Sequence, residues 1–446
     1  MAPLKILISG GGIAGSCLAW WLYKANVDAQ ITIIERAPEP RTSGQAVDIR
    51  GAAVEVMKAM GLEQAIRDKN TTEVGFEFVY SDGVSKARMA ATGDDKNQSF
   101  TSEYITLVFV PGEHANHIRY EILRADLANI FYDATKGMKG IEYVFDETIE
   151  DLVQDSQADK VQVKFTNHLP QAYYDLVVGA DGQISQTRRL AFGHGPQNGD
   201  YLHRLGEYMA FFTIPRDKSD SHWAQWYPAT RGRILCTRPS PYNDTRVFMG
   251  VVDWDLKRFS EIQDLVKRRD EKGAKNWLAR EFEGAGWETQ RVLDSMKTTD
   301  DFYMQEIVQV KMGEEGFAKG RIALLGDAGY CPSPLSGMGT SLAIVGSYVL
   351  AGEIASSPSD IPAALQRYVT TLRPFSDQCQ RLMPGMPQAL FPQSAWGLKL
   401  EAMLVTLLTS PTWQRIGPWV KMLLPKDFQR DKWQLPKQYS GMPVSV

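Results

Sequence analysis

The feature that most constrains this chain is a glycine-marked turn at residues 10–15. An apolar run from Leu4 to Ser9 leads into Gly10-Gly11-Gly12-Ile13-Ala14-Gly15, and a helical pattern follows from Ser16 to Ala25. A second apolar run, Ile31 to Ile34, ends at Glu35. Strand, turn, helix, strand and acid in that order predict a βαβ unit that binds a dinucleotide. Gly10 permits the tight turn, Gly12 lets a pyrophosphate approach the backbone, and Gly15 lets helix and strand pack closely. The helix start at Ile13 and Ala14 supplies N–H groups to the phosphates. Glu35 stands about 20 residues beyond Gly15, where the acid that binds the adenosine ribose belongs. Arg36, Arg41 and Arg50 follow it. Such arginines suit either a 2'-phosphate or the pyrophosphate of FAD, so the turn alone does not name the dinucleotide.

Two more glycine-marked segments follow. Asp175 to Ala180 reads as a strand that ends in Asp181-Gly182, with Ser185 and Arg188 just beyond. Arg321 to Leu325 ends in Gly326-Asp327, and Pro332, Pro334, Gly337, Met338 and Gly339 then open a long helix from about Thr340 to Ser356. Asp327 at a strand end is suited to accept a hydroxyl hydrogen bond, and the helix start favours developing negative charge.

Together the three segments resemble the single-component FAD-dependent monooxygenases of the p-hydroxybenzoate hydroxylase type, over about residues 3 to 375. The resemblance implies that the first segment holds the ADP half of FAD. It places Asp181 near the pyrophosphate and the pyridine nucleotide, and Asp327 on the ribityl chain. Arg124, in Leu123-Arg124-Ala125-Asp126-Leu127, matches an arginine on the flavin side of the cofactor. The run Gly44-Gln45-Ala46-Val47-Asp48-Ile49-Arg50-Gly51 is similar to the loop beside the isoalloxazine in the tetracycline-inactivating branch, which brings in Gln45 and Asp48. Pro334 and Gly337 to Gly339 fall near the flavin ring. Tyr330 and Ser341 depart from the histidine and asparagine common in relatives.

The implied architecture is α/β, a Rossmann-like FAD-binding domain with an inserted, mainly antiparallel substrate sheet and a C-terminal helical tail. The FAD-binding domain is expected from residues 1–76, 119–196 and 305–372, the substrate domain from 77–118 and 197–304, and the tail from 373–446. Runs at Glu207–Ile214, Ser221–Pro228, Arg233–Thr237 and Arg246–Val252, rich in aromatic and β-branched residues, predict the inserted sheet. Trp226, Tyr227, Arg238 and Tyr303 are its pocket candidates, because an aromatic substrate needs stacking surfaces and a phenolate or carboxylate favours an arginine.

Charge and cysteines narrow the rest. The 49 Lys and Arg are offset by 53 Asp and Glu, so no basic stripe points to nucleic acid. The four cysteines are far apart and His114 and His117 have no companion ligands, so no metal site is expected. No apolar run reaches the length of a membrane span, and a cytoplasmic, monomeric or homodimeric enzyme is expected. From Leu398 onward seven Lys and Arg face three acids, with Trp413, Trp419 and Trp433 among them. Packing of this tail over the two domains is the preferred reading, and peripheral membrane contact the lesser one.

The expected function is therefore hydroxylation of an aromatic or polycyclic small molecule with NADPH or NADH and O2, through a flavin C4a-hydroperoxide. Epoxidation, Baeyer–Villiger oxidation and oxidative decarboxylation remain alternatives. Halogenation is disfavoured, because Trp223-Ala224-Gln225-Trp226 has the wrong spacing for the halogenase WxWxIP segment.

Overall fold

The computed structural model describes residues 2–41, 44–71, 73–90, 120–155, 157, 159–193, 201–382, 385–408, 410, 435 and 438–444. Its first sheet takes the strands in the order Ala318–Lys319, Ile322–Leu324, Leu176–Gly179, Leu4–Ser9, Ala29–Glu35 and Ile141–Phe145. All neighbours are parallel except the short edge strand Ala318–Lys319. Helices cover the sheet, which explains the unbroken apolar character of its central strands. Ile6 and Ile8 and the helix Ile13–Lys24 share one core with the long helix Gly339–Ser356. That long helix is buried nearly all round, and it brings residues more than 300 apart in sequence into one layer. A small three-stranded sheet, Ala172–Tyr174, Lys160–Phe165 and Ile149–Asp155, packs on the other side.

The second sheet has seven strands in the order Tyr303–Val310, Leu202–Pro215, Asp244–Val252, Arg233–Pro239, Ala224–Ala229, Gly75–Val79 and Ser85–Ala90. The expected antiparallel insert is present, with one parallel contact between Ala224–Ala229 and Gly75–Val79. The strand Tyr303–Val310 also belongs to this sheet, so its pairing runs beyond the expected boundary at 304. Side chains alternate across the sheet. One face, with Tyr208, Ala210, Phe212 and Tyr227, is covered by the helices Ser260–Arg268, Glu271–Phe282 and Thr289–Met296. The other face, with Met209, Phe211, Trp226 and Phe248, packs with Leu335 from the loop before the long helix.

A two-stranded ribbon, Ala46–Ile49 with Tyr120–Leu123, links the two sheets. In the tail, the helix Ala395–Leu408 tucks Val405 into the second face while Trp396 stays 73% exposed. Tyr439 returns to the long helix, where its hydroxyl donates to Glu353 at 2.8 Å. Trp413, Trp419, Trp433, His114 and His117 lie outside the described residues. Among the described residues no helix is long and apolar enough to cross a membrane.

Candidate active site

The glycine turn is built as its chemistry requires. Gly10 has φ +114°, and a Cβ there would lie 2.3 Å from the Ala180 carbonyl oxygen of the neighbouring strand end. A Cβ at Gly15 would lie 2.1 Å from the Gly10 carbonyl oxygen. Both positions are closed by protein. Gly12 differs, because a Cβ there would meet no protein atom within 4 Å. It stands at the N-cap of the helix Ile13–Lys24 with no side chain capping the free N–H groups. Space and helix-start donors at that position leave room for an anionic group.

Glu35 ends its strand beside the turn, where it accepts N–H bonds from Gly11 at 3.0 Å and Ala37 at 3.1 Å. Asp181 is committed to its own turn. It accepts bonds from the Ser185 hydroxyl at 2.5 Å and from the backbone N–H and hydroxyl of Thr187 at 2.9 and 3.0 Å. Arg188 is buried behind it and donates to the carbonyls of Ala328 and Gln183, tying this segment to the Gly326-Asp327 segment. Gly326, at φ +63°, fits between Ala14 and Ala343, where a Cβ would be 3.2 Å and 3.4 Å from theirs. Asp327 is thereby held half-buried at the strand end between the helices Ile13–Lys24 and Gly339–Ser356.

The loop from Gly44 to Gly51 meets this platform from the other side. The Ser341 hydroxyl accepts the Arg50 N–H at 2.9 Å, and the Arg50 guanidinium lies against Gly337 and ion-pairs with Asp48. The departure at Ser341 thus gives that loop an anchor. Tyr330, the other departure, is buried and shares a 2.9 Å hydrogen bond with Tyr368 beneath the platform. Asp48 Oδ1 and Gln45 Oε1 are buried with no hydrogen-bond partner among the described residues. Arg124 opens the helix Arg124–Thr135, and its N–H donates to the Gln45 carbonyl at 2.9 Å. Arg41 is exposed, and partial desolvation with the nearby Arg124 and Arg36 lowers its pKa against the pull of Glu35. Three arginines converging in this way favour an anion among them. Gly44, Leu123, Ala125 and Arg246 help line a 250 Å³ cavity beside them.

Period two sorts the pocket candidates. Tyr303 stacks on Phe211 at 5.0 Å and lies within electrostatic reach of Arg124 and Arg41. Trp226 is on the same face, packed against Phe248 and Phe391. Tyr227, its neighbour in sequence, points to the opposite face and donates to the Ala285 carbonyl, so the two do not share a pocket. Arg238 lies on the strand face that also carries Cys236, but Glu73 and Glu121 hold its guanidinium. Neither acid signals its role in sequence, since each lies more than 100 residues from Arg238.

A family profile described as FAD binding domain matches residues 3–381. The chain belongs to the FAD-dependent aromatic monooxygenase family. It is 34% identical over 450 residues to the FAD-dependent monooxygenase asL6 of Sarocladium schorii, covering 97% of this chain and 98% of that one. It is 34% identical over 401 residues to the monooxygenase CTB7 of Cercospora beticola, covering 89% and 90%. Among solved structures it is similar to the tetracycline destructase Tet(51), with a TM-score of 0.72, 27% identity and coverage of 95% and 100%. This monooxygenase thus carries its glycine turn, its Gly326-Asp327 segment and its second-sheet face in the setting of a flavin enzyme. The open cradle at Gly12, the converging arginines and the unpartnered atoms of Gln45 and Asp48 fit FAD. Gly10, Gly12, Ile13, Ala14, Gly15 and Glu35 gather at one end of that setting. Pro334, Gly337, Met338 and Gly339 gather at the other, with Met338 buried and Pro334 exposed.

Proposed function

We propose that this monooxygenase uses NAD(P)H and O2 to hydroxylate an aromatic or polycyclic small molecule held between the flavin and the second sheet. One NAD(P)H and one O2 are consumed, one oxygen atom enters the substrate, and the other leaves as water. When bound, FAD would supply the redox chemistry of hydride acceptance and O2 activation. The chain's own residues position, orient and exclude water. Gly12 and the helix start behind it hold the pyrophosphate, Glu35 the adenosine ribose, and Arg36, Arg41 and Arg124 the anionic charge. Asp327 would accept a ribityl hydroxyl, and Gln45 and Asp48 would hold the flavin ring. On this basis we assign to the flavin domain the pieces 1–74, 119–196 and 311–372, the expected pieces trimmed where the strands Gly75–Val79 and Tyr303–Val310 pair in the second sheet. The observation that carries the proposal is the meeting of this cradle with an aromatic sheet face that includes Phe211, Trp226 and Tyr303. The polycyclic substrate class draws support from the tetracycline destructase likeness.

The purified protein is expected to show a flavin absorbance spectrum and NAD(P)H oxidation stimulated by an aromatic substrate, with a product heavier by one oxygen atom. A colourless protein that does not take up FAD sinks the proposal. Asp327→Ala is expected to weaken FAD retention roughly 10- to 100-fold, the worth of a charge-assisted hydrogen bond of about 1.5–3 kcal/mol. Flavin content after gel filtration reads this directly, and unchanged content removes Asp327 from the cradle.

A further inference from the structure

The helix Ala395–Leu408 is apolar on two sides, and the protein covers one of them. Its inner side turns Ala402 and Val405 into the second-sheet face. Glu401, the helix's one acid, is half-buried within electrostatic reach of Tyr80 on that same face. On the outer side Trp396, Leu400, Met403, Leu404 and Leu407 recur at helical spacing, and they are 37% to 73% exposed. Single apolar residues on a surface are ordinary, but five large ones along one stripe mark a surface made to be covered. Trp254 and Leu256 stand more than half exposed beside the segment that leads into this helix. There Gln388 donates to the Leu205 carbonyl at 2.7 Å and reaches that of Asp253 at 3.4 Å.

The border of the stripe says what covers it. Lys399 is exposed at its edge, three residues after Trp396 and four before Met403, and no acid of the helix shares that side. From Leu398 onward the chain carries seven Lys and Arg against three acids. A second copy of this chain suits such a border poorly. A twofold contact through the stripe brings both Lys399 side chains to one seam, with no acid of the helix to meet them. An apolar stripe with a tryptophan and a cationic edge matches instead the interface of a bilayer with anionic headgroups. There the lysine lays its methylenes along the apolar surface and carries its charge to the headgroups. With 14 residues the helix is about 21 Å long, short of the roughly 30 Å hydrocarbon core. It therefore fits along a membrane surface and not across it.

We propose that the outer side of the helix Ala395–Leu408 docks on an anionic lipid surface, its apolar stripe in the interface and Lys399 at the headgroups. The stripe contributes no residue to the proposed flavin site, so the assignment goes beyond that reading and stands apart from it.

The test floats the purified full chain on vesicles of phosphatidylcholine alone or mixed equally with phosphatidylglycerol. The wild-type protein is expected to bind the mixed vesicles at least about tenfold more tightly, and added salt should release it. Leu400→Ser combined with Leu407→Ser should weaken binding to the mixed vesicles at least about tenfold, through lost apolar burial. Lys399→Gln should weaken it about fivefold, the worth of one cation near an anionic leaflet, and leave binding to phosphatidylcholine unchanged. All three positions are exposed, so both variants should match the wild type in melting temperature and flavin content. A wild-type protein that stays off the mixed vesicles overturns the assignment, as does either variant binding them like the wild type. A wild type that elutes as a dimer while the serine variant elutes as a monomer also overturns it, by giving the stripe to a second copy. A protein that floats but holds no flavin strikes the flavoenzyme reading alone.

Discussion

Arg238→Ala is expected to lower the unfolding free energy by about 3–5 kcal/mol, the usual consequence of removing one member of a buried ion pair. The Arg238 guanidinium is nearly inaccessible and ion-paired to both Glu73 and Glu121. Burial opposes its charge, but the two glutamates more than compensate and hold it charged. Burial, with Glu73 and Asp48 close by, pushes the Glu121 carboxyl well above the usual carboxylate range against the pull of Arg238. Without the arginine, Glu121 is driven further toward its protonated form. The folded state then binds more protons than the unfolded one, so the variant loses stability as pH rises. Thermal melting at pH 6 and pH 8 should show a larger deficit at pH 8. Adding Glu73→Gln and Glu121→Gln to Arg238→Met should recover much of the loss, because the stranded charges are then gone. A single variant that melts like the wild type would show that the triad contributes nothing net.

Gly12→Ala and Gly10→Ala should part company, although both lie in the same turn. The methyl group of Gly12→Ala meets no protein atom, so its apoprotein should melt like the wild type while FAD retention falls by about 100-fold or more. The obstruction exists only when a pyrophosphate is present. Gly10→Ala collides with the Ala180 carbonyl and needs a left-handed backbone at φ +114°, which no L side chain adopts without strain. It should lower both melting temperature and flavin content. Measuring melting on the apoproteins and flavin content on the loaded ones separates the two effects. Equal flavin content in Gly12→Ala and wild type would remove the pyrophosphate from this position.

Much of this contrast was legible before any coordinates. The turn, the strand after Asp175 and the Gly326-Asp327 junction depend on residues whose local chemistry marks them. Glycine at a tight turn and an acid at a strand end leave signatures within a few positions. The inserted sheet was legible for the same reason, through its alternating aromatic and β-branched runs. What the sequence hid was which face each residue takes and who waits on that face. Trp226 and Tyr227 look alike as pocket candidates until the pleat sends them to opposite sides. Arg238 reads as a substrate arginine because Glu73 and Glu121 reach it only through the fold. A resemblance carries motif residues well, and it is silent about acids that lie between motifs.

The wiring of the parallel sheet also sets the order of events during synthesis. Leu4–Ser9 is central, yet its sheet is completed only by Ile322–Leu324, beyond Leu176–Gly179. At ribosomal rates of about 5–20 residues per second, roughly 15–60 s separate the emergence of the first strand from that of the last. From the emergence of Leu176–Gly179 until Ile322–Leu324 follow, roughly 7–29 s at those rates, the nascent chain holds a half-built sheet with an open edge at Leu176–Gly179. The long helix Gly339–Ser356, whose Ala343 packs on Gly326 in the proposed flavin site, emerges later still. The proposed flavin site is thus complete only in the finished chain, and the growing chain carries the kind of bare strand edge that invites pairing with other chains.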